Sequence, residues 1–403
     1  MTVLFGHPTG NPNSHNAATA YSEGNLLECF CVPWMPSLRT LNLLSSIRPL
    51  RPLAQRLGRR HFPPLSHVPK IQGRVGEGFR LLMRASGSTI GPFSDLGNRW
   101  LMRTMARECH RSTVTVVHSY EDCSLWQFIE AKHLGKTCVY DMPIGYYAAW
   151  ERVRADLSRR YADWLPATRP APNYHAQPEQ KRQEMELADL TLVPSSFVER
   201  TIREYYPYKE IVRAPYGVDS EFWTPGPIGK PSGPLRFIFA GQVSLRKGVP
   251  LLIEAWSKAA LRDAELKLVG SWALSESKRL SFPPGVTWVP PCSARALRDQ
   301  YRESDVFVLP SFFEGLALVL LEAMSCGLPV IASEASGASE IMRSGCGRLL
   351  PTGDLDALIE LLKWFDRHRD ELPAMSRAAR AEAERHSWSN YRALVRSAVT
   401  KLV

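Results

Sequence analysis

At 403 residues, 44% hydrophobic and 22% charged, the chain has length for two hydrophobic cores, which excludes disorder, collagen and coiled coil as whole-chain readings. Its eight cysteines include no CxxC pair, with Cys29 and Cys31 the closest two, so buried reduced thiols of a cytosolic protein are expected rather than a disulfide scaffold or zinc ribbon. The net charge is +10, and residues 39–111 carry the excess, with thirteen Arg and one Lys against Glu77, Asp95 and Glu108.

The first 22 residues lack Asp, Glu, Lys and Arg, but Pro8, Asn11, Pro12, Asn13 and Asn16 interrupt any apolar core, so they do not read as a signal peptide. No run of 18 apolar residues predicts a membrane span. Thr2–Phe5 reads as a strand, followed by a polar loop, Phe5–Asn16, that is a candidate for touching an acceptor or phosphate through Gly10, Asn11, Asn13 and His15. A plain Gly- and Pro-rich turn is the alternative. Five prolines make Arg48–Lys70 an irregular excursion. Arg99, Arg103 and Arg107 share one helical stripe opposite Leu101, Met102 and Met105. An anionic membrane surface would attract the basic segment 39–111; a core-packed helix with a solvated Arg face is the alternative, and no nucleic-acid recognition fold is readable.

Further strands are predicted at Val114–Val117, Thr137–Tyr140 and Leu190–Val193, with helices at Ser124–Leu134 and Gln177–Ala188. His118 and Asp141 stand at two strand ends, where either could be structural or could meet a substrate. Tyr216–Pro234 is dense in Gly and Pro and reads as a linker. Beyond it, apolar runs at Leu235–Gly241, Leu266–Gly270, Val286–Val289, Asp305–Pro310 and Pro329–Ala332 alternate with helices such as Val249–Leu261 and Ala294–Glu303. This is the pattern of a parallel sheet covered on both faces. The predicted class is α/β, with two doubly wound Rossmann-like domains facing a cleft. The N-terminal domain is residues 1–215, the linker 216–234 and the C-terminal domain 235–385. The last segment, 386–403, forms a helix capped by Ser387, with Trp388, Tyr391, Leu394, Val395, Ala398 and Leu402 on one face.

Two clusters carry chemistry. After the strand ending at Gly241 come Gln242, Arg246, Lys247 and Gly248, which place a fork and a point charge beside a helix start, suited to a diphosphate without metal. Neither a Walker loop nor GxGxxG is present, which argues against kinase, ATPase and dehydrogenase readings. After the strand Val306–Leu309 comes Glu314-Gly315-Leu316-Ala317, with Glu322 about two turns into the next helix. Amides of Leu316 and Ala317 at a helix start would seat an anion, Glu322 suits a ribose, and Glu314 suits a sugar ring. Solvated basic residues and helix-start glutamates are the alternatives.

Arg246-Lys247-Gly248, Glu314-x7-Glu322, the run Glu322–Ala332 and Val308-Leu309-Pro310-Ser311 before Glu314-Gly315 together resemble the retaining GT-B glycosyltransferases of the large group 1 (family 4) nucleotide-sugar family, most clearly over residues 235–385. The resemblance implies that Gly241, Gln242, Arg246 and Lys247 surround a donor diphosphate and that Glu322 binds its ribose. It implies that Glu314 meets the sugar near the reacting carbon, with amides of Gly315 through Ala317 alongside and His118 near the sugar. It also implies retention of configuration, no cofactor and no metal, with Asp141 on the acceptor side and the last helix crossing back to the first domain. Acceptors would be carbohydrates, lipid-linked sugars or small molecules, as in polysaccharide biosynthesis at the inner face of a membrane. Gln242 replaces the arginine many members carry, and Ser271-Trp272 replaces a glycine near the base pocket. A sugar epimerase, a phosphorylase and a non-catalytic sugar-binding partner remain open on the same architecture.

Overall fold

The computed structural model describes residues 1–58, 60–85, 96–166, 178–226, 233–343 and 345–402. Two wholly parallel sheets organise it. The first contains β1 (Val3–Gly6), β2 (Leu27–Val32), β3 (Lys70–Gln72), β4 (Val116–Tyr120), β5 (Thr137–Asp141), β6 (Leu190–Val193) and β7 (Ile211–Arg213), in the order β3-β2-β1-β4-β5-β6-β7. The second contains β8 (Leu235–Ala240), β9 (Ala264–Val269), β10 (Val286–Val289), β11 (Val306–Leu309), β12 (Val330–Ser333) and β13 (Gly347–Leu350), in the order β10-β9-β8-β11-β12-β13. Both are doubly wound, as expected. Their strand orders reverse between β1 and β4 and between β8 and β11, the places where such sheets bind ligands.

The central strands are buried runs because helices cover both faces: β11 and β12 have no exposed residue. Four strands escaped the apolar pattern. β2 opens with the half-buried Leu27 and Glu28, while β3, β7 and β13 are short edge strands that are partly exposed. β4 begins two residues later than predicted.

Two further expectations are corrected. The loop after β1 ends early, because Pro12 opens a helix, Pro12–Glu23, capped by the Asn11 side chain. Arg48–Lys70 is partly regular, with a helix at Arg51–Gly58; Arg59 lies outside the described residues, as does Gln177 of the predicted helix 177–188. The basic helix spans Leu96–Glu108 and buries Leu101, Met102 and Met105 in the core, leaving Arg103 over the Trp126 ring at 5.5 Å. It is thus the core-packed alternative. The linker is packed over its first half: Tyr216, Val218 and Trp223 are buried, and Ser325 Oγ donates to the Trp223 carbonyl at 2.7 Å. Residues 227–232 of the linker lie outside the described residues.

The last helix, Trp388–Thr400, is capped by Ser387 and crosses back onto Pro12–Glu23. Arg392 donates to Asn16 Oδ1 at 2.9 Å and pairs with Glu23 at 3.0 Å. Its buried face is Tyr391, Val395, Ala398 and Val399, whereas Leu394, expected inside, is exposed. The two crossings run side by side, with Val218 N donating to the His386 carbonyl at 2.9 Å. All eight cysteines are free.

Candidate functional site

The site on the C-terminal domain grows from the strand ends at the switch point. Gly241 and Gly270 close β8 and β9, and a Cβ on Gly270 would stand 1.8 Å from the Gly241 carbonyl oxygen, so only bare backbone fits there. The loop from Gln242 then returns to Gly248, which has φ +72° and packs where a Cβ would lie 1.9 Å from the Pro310 oxygen. Phe312 N donates to the Arg246 carbonyl at 2.8 Å. These two close approaches stitch the loop after β8 to the loop after β11, and so bring Arg246 and Lys247 to Glu314.

Arg246 Nη1 lies 2.5 Å and Lys247 Nζ 2.7 Å from the same oxygen, Glu314 Oε1, and Arg246 Nη1 also donates to the Phe313 carbonyl at 2.8 Å. Lys247 and Glu314 are buried. Burial, aided by repulsion from the Arg246 guanidinium, holds the Lys247 ammonium below its ordinary pKa despite the attraction of Glu314. Two cations on one carboxylate leave a net positive charge in a poorly hydrated corner, which is an electrostatic seat for an anion.

Glu322 stands apart from this triad. The helix starts at Leu318, so Glu322 is its fifth residue, little more than one turn in rather than two. Its carboxylate meets no donor or cation among the described residues, and burial alone raises its pKa to about 7. The expected free amide at Ala317 is also corrected: it donates to the Ser336 carbonyl at 3.1 Å. Gln242 is exposed and lines a cavity of about 620 Å³ between the domains, together with Arg246, Phe313, Trp150, Arg154 and Lys181. Trp272 packs edge-on against Phe282 and Trp288.

The N-terminal domain meets this corner at Gly315. A Cβ there would sit 1.7 Å from the Pro143 oxygen, Gly315 bridges to Ile144, and Ser195 Oγ donates to the Gly315 carbonyl at 2.6 Å. Two residues before Pro143 is Asp141, at the end of β5. Asp141 is buried, and burial followed by the charge of Glu121 lifts its pKa to about 7. Its Oδ2 lies 3.8 Å from His118 Nε2, too far for a hydrogen bond. His118 Nδ1 is 2.7 Å from the Tyr21 hydroxyl, and burial lowers its pKa to about 3, so the ring is neutral near pH 7.

The loop after β1 supplies the facing wall. His7 Nδ1 accepts from the Thr9 and Gly10 amides at 3.1 and 2.8 Å, which puts the ring proton on Nε2. That buried Nε2, His15 Nε2 and His118 Nε2 lack partners among the described residues, while the Tyr216 hydroxyl meets the Asn13 side chain. Burial and Arg60 lower His15 to about 4. Gly10, at φ +74°, turns the loop against His15, whereas Asn11 spends its side-chain oxygen on the Ser14 amide as a helix cap. Buried polar groups left unpaired are costly unless a ligand or water meets them. Sequence reasoning missed His7, Tyr21, Tyr216 and Tyr391; His7 directly follows a strand-ending glycine, which was the available signal, while the tyrosines come from distant segments.

Residues 234–365 match the model of the family described as Glycosyl transferases group 1. The C-terminal domain is a group 1 glycosyl transferase domain. A sulfoquinovosyl transferase of Arabidopsis thaliana is 31% identical over 233 residues, 53% of this chain and 44% of that protein. A D-inositol 3-phosphate glycosyltransferase of Arthrobacter sp. is 32% identical over 203 residues, 45% of this chain and 48% of that protein. The chain thus spans about half the length of the curated relatives it matches. Among solved structures, Anabaena HepE in complex with UDP and glucose superposes with a TM-score of 0.62 at 16% identity, covering 99% of each chain. The group 1 domain and the sheet beside it together form the GT-B fold.

Proposed function

We propose that this chain is a retaining, metal-independent glycosyltransferase of family 4, moving a sugar from a nucleoside diphosphate to an acceptor hydroxyl. The observation that carries the reading is the convergence of Arg246 and Lys247 on Glu314 at the switch point, against the Gly315 seam between domains. The two cations take up the charge that grows on the departing diphosphate. Glu314 accepts hydrogen bonds from sugar hydroxyls, and Glu322 accepts them from ribose. Gly241 and Gln242 flank the phosphates, and the backbone from Gly315 through Ala317 borders the sugar.

The carbon–oxygen bond to the diphosphate breaks as the bond to the acceptor oxygen forms on the same face. The acceptor proton passes to the released phosphate oxygen. Neutral His118 steadies the sugar, and Asp141 with Gly10, Asn13 and His15 orients the acceptor, while Asn11 shapes the loop as a cap. The names of the relatives support a nucleotide-sugar donor: one solved neighbour holds UDP and glucose, and two curated relatives are glycosyl-transferring proteins. Closure of the two domains would exclude water from the reacting carbon.

A thermal-shift screen of nucleoside diphosphates and their sugars tests this. A selective rise of about 5 °C at a hundredfold excess over Kd is expected for one base. Glu314→Gln should retain the fold and lose at least about a hundredfold in transfer. No shift with any nucleotide, or full turnover by Glu314→Gln, would refute the reading.

A further inference from the structure

The stretch between Glu28 and Glu77 contains eight Lys and Arg side chains and no acidic one. Its first helix, Leu38–Ser46, lies on the surface with no buried residue. Leu38 is 58% exposed, Leu43 65% and Ile47 43%. Arg39 and Leu43 share a stripe that runs into Ile47, and the exposed Arg48 and Arg51 follow directly. None of these three arginines makes an ion pair among the described residues; Arg51 donates to the Ser45 carbonyl at 3.1 Å, which holds it along the helix end. A surface helix that shows leucines and Arg39 to solvent and runs into Ile47, Arg48 and Arg51 has the composition of an interfacial element, and its charge complements an anionic surface.

Beside this helix lies a cavity of about 520 Å³, with Trp34, Met35, Leu38 and Phe62 in its wall and Arg39 and Lys70 also lining it. Phe62 forms part of its wall and stacks on His15, with ring centroids 4.9 Å apart. The apolar cavity is therefore one ring away from the unpartnered polar groups of the loop after β1. Lys70, by contrast, points inward and donates to the carbonyls of Leu65, Ser66 and Val68, so its charge organises the cavity rim.

We infer that this face docks on an anionic lipid bilayer, with Leu43 and Ile47 in the acyl boundary and Arg39, Arg48 and Arg51 at headgroup phosphates. The cavity takes the apolar chain of a membrane-borne acceptor whose head reaches the His15 loop. This deepens the transferase reading, on which the role of the cavity rests. The docking surface is the helix Leu38–Ser46, and not the helix Leu96–Glu108, whose apolar face is already used.

Sedimentation with phosphatidylcholine vesicles, with and without phosphatidylglycerol, tests the docking. Recovery with the anionic vesicles should exceed that with neutral ones by about tenfold or more. Leu43→Ser with Ile47→Ser should weaken binding about tenfold, and Arg39→Glu with Arg48→Glu should remove the preference for anionic lipid. Arg103→Glu with Arg107→Glu removes the same charge from the other helix and should leave most binding intact. Equal recovery on both vesicle types, equal losses in the two arginine pairs, or preferential binding to RNA over vesicles would overturn the inference. The nucleotide thermal shift, measured on the same variants, separates the two readings: it should persist when docking is lost, and its absence in the unaltered protein would count against the transferase assignment alone.

Discussion

Asp141 is an acid placed where it costs the fold stability. Its carboxyl is almost wholly enclosed, with His118, Tyr21, Tyr216 and Tyr391 among its surroundings, and burial lifts its pKa from 3.8 to about 7. Between those values the unfolded chain has released the proton and the folded chain keeps it. Folding stability therefore falls as pH rises, by about 4 kcal/mol in all above pH 7 and by less than about 1 kcal/mol at pH 4. Asp141→Asn removes the ionisation without changing the shape. Urea unfolding at pH 4 and pH 8 should show the variant near parity in acid and more stable than the unaltered chain by about 4 kcal/mol in base. Comparing the two proteins at each pH cancels raised groups remote from Asp141; Glu121, whose charge helps lift Asp141, responds to the substitution as well. A variant less stable at pH 8, or a difference that does not change with pH, would show that Asp141 is paired and structural, and would remove the argument that it is held ready for a hydroxyl.

Gly248→Ala should cost at least about 3 kcal/mol, because a Cβ would meet the Pro310 oxygen at 1.9 Å on a left-handed backbone; a calorimetric melt showing the C-terminal transition lowered by several degrees is the expected result. Arg392→Ala removes the bonds to Asn16 and Glu23, and should cost about 1 kcal/mol or less because the pair is partly exposed. Hydrogen exchange across 388–400 should quicken in that variant while β4 and β5 stay protected.

The donor corner was legible because its parts are continuous in the chain. Five apolar runs marked β8 through β12, and Arg246, Lys247 and Glu314 sit within a few residues of strand ends. The helix register around Glu322 was harder: the apolar residues Leu316 to Leu321 run through the loop and into the helix, so hydrophobicity alone did not show where Ala317 stops and Leu318 begins. β3 and β7 were missed because three-residue, half-exposed edge strands have no period to detect. The basic helix stayed open between two readings for a related reason. An amphipathic pattern shows that one face is covered without showing by what, and Leu101, Met102 and Met105 turned out to face the protein. The wall opposite the donor corner was least legible, because Tyr21, His118, Tyr216 and Tyr391 are nearly 200 residues apart in places and meet only through the sheet and the returning tail.

The paired crossings carry a mechanical consequence. Chain passes between the lobes twice, near Val218 and near Ser387, and the two passages are bonded to each other, with Gly217 so close that a Cβ would stand 2.3 Å from the Trp388 nitrogen. A swing of one lobe on the other that keeps these bonds must pivot at that point, as a door does on adjacent hinges. Phe313 of one lobe, packed against Trp150 and Phe197 of the other, is a contact that such a swing has to slide or open.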